Sequence, residues 1–487
     1  MNFRKLLIAT SACVSLMTIQ DADAQIGKPY IHDPSTLAEC DGKYYTFGTG
    51  RGGLISEDGW SWYEGGVRPG GGAAPDVIKI GDRYLVIYGA TGGGLGGGHN
   101  GRILTMWNKT LDPKSPDFKY SEAIEVAASD GMEDNDAIDP GVLLDPNTGR
   151  LWVSYGTYFG FIRLIELDPK TGKRMEGNVE KDIAIDCEAT DLIYRDGWYY
   201  LLGTHGTCCD GVNSTYNIVV GRSRNVEGPY IDNVGRDMIQ GGGKMVIAAG
   251  DRVVGPGHFG RTIIDEGVEV MSCHYEADFD QGGRSVLGIR PLLWKNNWPV
   301  AGDRFKEGTY EIESERRGYA LELAVDFVRL PQERKPWFRL DPNEPVVPIE
   351  NQKLADVIDT WPKEDINVRI GDYMFRPHQR WTITAVPEAG GYLSNPYFKI
   401  TIEGTDRALA ATEDLEVKTV PAFTGSDEQL WRIEQLTDGT FRIMPKAIPG
   451  KEGINKKYVL YSIADSTPTL AEWDFNTDNS KWNFRNH

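Results

Sequence analysis

The chain has 487 residues, 40% of them hydrophobic, with 57 Gly, 13 Trp and 22 Tyr. That is room for two or three domains with packed cores, and it suits a turn-rich, aromatic all-β protein. A net charge of −19 excludes a nucleic-acid binder, whose partner needs a basic surface, and fits a neutral ligand such as a sugar.

Residues 1–24 read as a secretory signal peptide. Arg4 and Lys5 precede the apolar run LLIATSACVSLM from Leu6, and Ala22-Asp23-Ala24 forms an A-x-A cleavage site. The mature chain then starts near Gln25. A lipoprotein would use Cys13, but the preceding Thr10-Ser11-Ala12 lacks the expected Leu three places upstream. The apolar run is too short to span a bilayer, and no later segment of 18 apolar residues follows. The expectation is an exported protein, periplasmic or extracellular, without a membrane span and monomeric. Five cysteines remain: Cys40, Cys187, Cys208, Cys209 and Cys273. No C-x-x-C spacing suggests zinc. Cys208-Cys209 reads either as a vicinal disulfide or as two packed small hydrophobes.

From 25 to 305 one phrase recurs five times: a Gly turn followed by an aromatic or apolar strand. The copies are DGKYYTFGT from Asp41, GDRYLVIYGA from Gly81, TGRLWVSYGT from Thr148, DGWYYLLGT from Asp196 and EGVEVMSCHY from Glu266. A period of roughly 40–70 residues with strands in each unit predicts a five-bladed β-propeller. Asp33, Asp139, Glu188 and His258 each precede their turn Gly by nine or ten residues, and Asp76 precedes Gly81 by five. Equivalent positions in successive blades ring one axis, so carboxylates distant in sequence meet in one pocket. The Gly-rich segment 92–102 lacks the GK[ST] of a phosphate loop and reads as a rim loop.

From about 306 the pattern changes. Tyr310-Glu311-Ile312, Phe398-Lys399-Ile400 and Phe441-Arg442-Ile443 open three lobes that close on Trp381, Trp431 and Trp482. Each lobe has an early small apolar step: Ala320-Leu321, Ala408-Leu409 and Val459-Leu460. Gln379 and Gln429 sit two places before their Trp, and Ser480 takes that place in the third lobe. The lobes resemble a ricin-type β-trefoil over 306–487, with a charged, Pro-rich insertion near 330–370. The fold class expected is therefore all-β, a five-bladed propeller followed by a β-trefoil-like domain.

Glycoside hydrolysis needs one carboxylic acid of raised pKa and one ionised carboxylate flanking the scissile bond. A third carboxylate nearby raises the acid further. Asp33, Asp139 and Glu188 supply three. Asp33 and Asp139 each precede a proline, which predicts an extended residue at a strand start.

The strings IHDPSTLAECDGKYYTFGTG, AIDPGVLLDPNTGRLWVSYGT and CEATDLIYRDGWYYLLGTHGTCCDGVNSTYNIVVGRSRNVEGPY closely resemble glycoside hydrolase family 43. They look most like its arabinan-cleaving members, endo-1,5-α-L-arabinanases and related α-L-arabinofuranosidases. The resemblance covers about 28–300 and does not extend to 306–487. It implies an inverting mechanism with Asp33 as general base, Glu188 as general acid and Asp139 tuning and orienting the acid. GPGHFG around His258 resembles a segment whose His meets an ion on the propeller axis, often calcium with a mostly water shell. The other reading is a neutral His258 donating to a carboxylate, and His274 is the rival candidate in the pocket. Asp76, His274, Tyr158 and Phe159 are candidate substrate contacts; the aromatic pair either stacks on a sugar ring or packs between blades. Relatives that cut internally usually carry an aromatic residue shortly before AID. Here Glu133-Asp134-Asn135-Asp136 stands there, which would narrow one end of the groove. The implied partner is an arabinose-containing polysaccharide or oligosaccharide, with no organic cofactor. The competing readings are a β-xylosidase or galactofuranosidase of the same family, or a non-catalytic carbohydrate-binding protein.

Overall fold

The computed structural model describes residues 25–486 except 51, 69–71, 91–98, 132–133, 317–318, 326–352, 373–375 and 464–467. The signal-peptide segment, Glu133 and most of the glycine-rich stretch therefore lie outside the described residues, as does part of the 330–370 insertion.

Five sheets follow one another along the chain, four of them antiparallel throughout and the first closed at its outer edge by Ile26–Gly27 running parallel to Ser61–Val67. Their innermost strands are Ala38–Cys40, Ala73–Ile80, Gly141–Leu144, Glu188–Arg195 and Val253–Asp265. The ring closes because every neighbouring pair of blades shares an apolar cluster. Tyr45 and Phe47 of blade 1 pack with Val77 and Val86 of blade 2. Ile87 and Ile103 of blade 2 pack with Val142 and Val153 of blade 3. Leu143 and Leu164 meet Leu192 and Leu201 between blades 3 and 4. Leu202 and Val220 meet Met271 and Cys273 between blades 4 and 5. Leu54 and Trp62 of blade 1 meet Val270 and Ile289 of blade 5. A sheet covered on both faces loses polar alternation, which is why Val268–Asp278 is buried at every position. The outer strand Ser61–Val67 keeps exposed residues among its buried ones.

The recurrent feature of the inner strands is a left-handed residue at their entry: Asp33, Ala74, Asp139, Ala189 and His258, with φ between 46° and 60°. Asp33 and Asp139 are thus not extended, although each precedes a proline. Aspartate tolerates the left-handed region better than most residues, and in the three other blades the left-handed residue sits at a register shift. In blades 2, 4 and 5 the shift falls between Ala73 and Asp76, between Glu188 and Asp191, and between Gly257 and Gly260. Each bulge places two residues opposite one and re-aims the side chains at the axis. Counting back from the turn Gly therefore misaligns the blades. Glu188 occupies the position of His32, one before the left-handed residue, and Asp76 and Asp191 lie two after it.

In the C-terminal part, six strands close a barrel. Gly308–Ser314, Arg380–Ala385, Phe398–Ile402, Trp431–Gln435, Phe441–Pro445 and Trp482–Arg485 pair in a cycle. Three outer pairs of strands accompany them, including Ala408–Ala411 with Val417–Val420. The three Trp are fully buried. Each donates its indole N–H to the apolar step of its own lobe: Trp381 to the Leu321 carbonyl at 2.8 Å, Trp431 to Leu409 at 3.0 Å and Trp482 to Leu460 at 2.9 Å. The sequence repeat is thus a repeated buried hydrogen bond, whose loss would leave a buried donor unsatisfied.

The barrel docks on blade 5. Arg442, fully buried, donates to Asp265 at 2.9 Å and pairs with Glu434 at 2.7 Å. Trp473 donates to the Glu266 carbonyl at 3.1 Å, and the Thr437 N–H to Gly267 at 2.9 Å. Gly267 has φ +81°, and a Cβ there would lie 2.1 Å from the Phe475 ring. Gly267→Ala should destabilise the protein by about 1–3 kcal/mol through this clash and the left-handed backbone. Thermal unfolding checks this; an unchanged Tm would mean that the Phe475 contact is not a fixed part of the docking.

Candidate active site

The left-handed entries gather Asp33, Asp139, Glu188, His258 and, from the next strand of blade 5, His274 about the axis. Glu188 is 7% and Asp139 9% exposed. Asp33 is held at both ends. Its backbone N–H donates to His274 Nδ1 at 3.0 Å. Its Oδ2 accepts from the Thr49 hydroxyl and faces His32 Nδ1 at 2.9 Å. Burial alone would raise this carboxyl, but His258 and His32, with His274, overcome it and hold it well below the usual range.

Glu188 sits in the opposite environment. Burial pushes it up to about 7, opposed by the Tyr216 hydroxyl and reinforced by the charge of Asp33. Tyr216 donates to its Oε1, and the Thr157 hydroxyl lies 3.4 Å from Oε2. Tyr216 reaches inward over Gly257, where a Cβ would stand 2.8 Å from its ring, so glycine is required there. Asp139 is raised well above the ordinary carboxylate value by burial, Glu188 and Asp33. The Glu188 effect reaches it through space, with no hydrogen bond between the two. One carboxylate of the three is therefore held ionised, and two are held toward the protonated form.

The other expected residues divide. His274 is fully buried at the centre of the site. The Asp76 oxygens accept three backbone N–H groups, from Thr36 at 3.1 Å, Val77 at 2.8 Å and Val142 at 3.0 Å. Asp76 thus ties blade 2 to blades 1 and 3, and its acceptor sites are filled by protein. The Tyr158 and Phe159 rings pack against each other at 4.3 Å with their planes tilted by 39°, and Phe159 is 48% exposed. They follow Thr157 directly, so the pair borders the Glu188 side of the pocket rather than lying between blades. Asp134 pairs with Arg163 at 2.7 Å and Asp136 accepts from the Gly101 N–H at 3.0 Å. Both are engaged in anchoring blade 3, not left free at a groove end.

Residues not foreseen also build the site. His32 Nε2 faces Glu276 Oε1 at 3.1 Å. With a carboxylate on each ring nitrogen, His32 is raised to about 10 despite the opposing effect of burial. Glu276 is lowered to about 2 by His274, His32 and the Cys209 N–H, against the effect of burial. The signals were present: His32 adjoins Asp33, and Glu276 lies two residues from His274, hence on the same strand face. One donor group, His32, Asp33 and His274, could hold a metal ion; in the other cluster, His32, Cys208, Cys209 and Glu276, the two sulfurs are tied in a disulfide and are not thiolate ligands. His258 belongs to neither, but its Nδ1 is buried without a hydrogen-bond partner, 3.8 Å from Asp33 Oδ1.

The model of the glycosyl hydrolases family 43 matches residues 53–299. The chain belongs to glycosyl hydrolase family 43. It is 32% identical over 309 residues to the extracellular exo-α-(1→5)-L-arabinofuranosidase of Cellvibrio japonicus, covering 56% of this chain and 87% of the relative. It is 31% identical over 323 residues to the extracellular endo-α-(1→5)-L-arabinanase 1 of Bacillus subtilis, covering 60% and 93%. Among solved structures, the exo-1,5-α-L-arabinanase from a bovine ruminal metagenomic library matches with TM-score 0.52 and 31% identity, over 58% of this chain and 99% of that one. The Cellvibrio cellulosa α-L-arabinanase complexed with arabinohexaose matches with TM-score 0.52 and 28% identity, over 56% and 95%. This family 43 chain is a glycoside hydrolase with a five-bladed propeller. No helix among its described residues is long and apolar enough to cross a membrane.

Proposed function

We propose that this enzyme hydrolyses α-L-arabinofuranosyl linkages of arabinan-type polysaccharide with inversion of configuration. The observation that carries the reading is the opposed electrostatics of the buried Glu188 and the half-buried Asp33 in one pocket. Glu188 is held near 7 while Asp33 is held ionised; such a pair is an acid and a base. Asp33 takes a proton from water as it attacks the anomeric carbon. Glu188 gives its proton to the departing oxygen. The Tyr216 hydroxyl occupies Oε1, so Oε2 is the oxygen that carries this proton. Asp139 and Glu188 repel each other when both are ionised, which favours a proton at the pair, and Tyr158 with Phe159 offers a stacking face on the leaving-group side.

The Nδ1 of His258, buried without a hydrogen-bond partner, leaves one nitrogen for an ion; for a hard cation this is an unusual site, whose other ligands would be water oxygens. His258 would hold such an ion, calcium being the expected one, and the ion would supply positive charge at the axis beside Asp33. The three-fold barrel supports reading 306–487 as a β-trefoil-like domain behind a catalytic propeller of 25–305. The A-x-A site and the extracellular relatives support export.

The acid must be protonated to act. With its pKa raised to about 7, its proton is fully present below that value and lost as pH rises through it. Asp33 stays ionised throughout this range. Activity should therefore be level at mildly acid pH and fall tenfold per unit above about 7. A profile still rising at pH 8 would contradict Glu188 as the acid.

Product analysis tests substrate and mode, using debranched linear arabinan and a panel of nitrophenyl glycosides. A ladder of arabino-oligosaccharides identifies endo-action, and arabinose alone identifies exo-action. Turnover of only the xyloside or galactofuranoside reporter would replace the arabinan reading with the other family activities. No turnover anywhere would favour a carbohydrate-binding protein.

A further inference from the structure

Cys208 and Cys209 form a disulfide on the loop after Trp198–His205 of blade 4. The pair reaches the pocket beside His32 and Glu276, with Cys208 half-buried and Cys209 exposed. Because the two residues are adjacent, the sulfur bond closes a small ring that contains the peptide between them. The N–H of that peptide, on Cys209, donates to Glu276 Oε1 at 2.9 Å. The same oxygen faces His32 Nε2 at 3.1 Å, and His32 Nδ1 faces Asp33 Oδ2 at 2.9 Å. A continuous path of three hydrogen bonds therefore joins the disulfide ring to Asp33.

Each link fixes the next. Cys209 has φ +63°, a left-handed conformation that a non-glycine residue rarely keeps unaided; the covalent ring keeps it, and so aims the N–H. Glu276 is 5% exposed, and this donor directs its oxygen at His32. The imidazole has a carboxylate at each nitrogen and lies stacked on His274 at 4.3 Å, so it cannot turn without losing a partner. Asp33 Oδ2 is occupied by His32 and Thr49. The nearest imidazole nitrogens to Oδ1, those of His258 and His274, are each 3.8 Å away, beyond hydrogen-bond reach.

We propose that the Cys208–Cys209 ring, Glu276 and His32 form a positioning relay that holds Asp33 with Oδ1 turned to the attacking water, and that the relay is redox-sensitive. It rests on Asp33 being the general base. A dithiol reductant breaks it: the Cys208–Cys209 bond accepts two electrons and two protons to give two thiols, while the reductant closes to its own disulfide. The turn then relaxes, Glu276 loses its aimed donor and His32 its fixed acceptor. Among the described residues the other cysteines, Cys40, Cys187 and Cys273, are free and buried, so this is the bond that a dithiol meets.

The test is kcat and KM of the whole protein on the arabinofuranosyl substrate that it turns over. Reduction, and separately Cys208→Ser/Cys209→Ser, should lower kcat about 10-fold with KM unchanged, since a displaced base costs rate rather than binding. Reoxidation should restore the reduced enzyme. Glu276→Ala should lower kcat about 10- to 100-fold, and Glu276→Gln, which retains an acceptor oxygen, should recover most of it. An unaltered kcat in Glu276→Ala or in the reduced protein overturns the relay, as does an equal loss in Glu276→Ala and Glu276→Gln. Asp33→Asn separates the layers. If it is inactive while the relay variants keep their kcat, only the relay falls; if it keeps wild-type kcat, the assignment of the base falls with it.

Discussion

Glu188→Gln should lose at least about 10²–10⁴-fold in kcat on linear arabinan, yet far less on a nitrophenyl arabinofuranoside. The amide preserves the volume of the side chain and an acceptor for the Tyr216 hydroxyl, so the pocket keeps its shape. What disappears is the proton on Oε2. A sugar alkoxide cannot leave without that proton, whereas a nitrophenolate, a weak base, can. The two substrates therefore divide an acid from a structural residue. The alkaline fall in activity through about 7 should also vanish from the variant on the activated substrate, because the group responsible for it no longer titrates. Comparable losses on both substrates would contradict the role.

Asp33→Asn should show the complementary pattern, a loss of about 10²–10⁴-fold on both substrates. Water must be deprotonated whichever group departs, so an activated leaving group gives no relief. The substitution also removes the negative partner of His32 Nδ1, at 2.9 Å, and the charge that helps to raise Glu188. The acid in this variant should titrate lower than in the wild type, and the small residual activity should fall at a lower pH. Kinetics on arabinan and the aryl glycoside, each across pH, check both statements. Selective loss on arabinan would mean that Asp33 and Glu188 have exchanged roles.

The propeller was legible in the sequence because a blade must turn between its first two strands, and Asp41-Gly42, Gly81, Gly149, Asp196-Gly197 and Gly267 all mark that turn. The barrel was legible through its Trp spacing, which reflects one buried indole per lobe bonded to a Leu carbonyl. The family's strings carried the three carboxylates into one pocket. Alignment within the pocket was not legible. Distance from the turn Gly cannot register a bulge, so it equates Glu188 with Asp33, although Glu188 occupies the position of His32. The same uncertainty made Asp76 look like a substrate contact, whereas three backbone N–H groups fill its oxygens. His32 and Glu276 take their meaning from a contact across 244 residues of chain, which neither residue's local sequence reveals. The vicinal cysteines stood out in the sequence, but only their fold neighbours, Glu276 and His32, give them a purpose.

The proposed mechanism has water attacking from the Asp33 side while Glu188 protonates the opposite side, with no enzyme-linked sugar between. The most direct measurement is the anomeric configuration of the first-formed product, followed by proton NMR during rapid hydrolysis of an α-L-arabinofuranoside before mutarotation. The β-anomer should appear first, with the α-anomer growing in as it equilibrates. First appearance of the α-anomer would contradict single displacement, and with it Asp33 as the base and Glu188 as the acid.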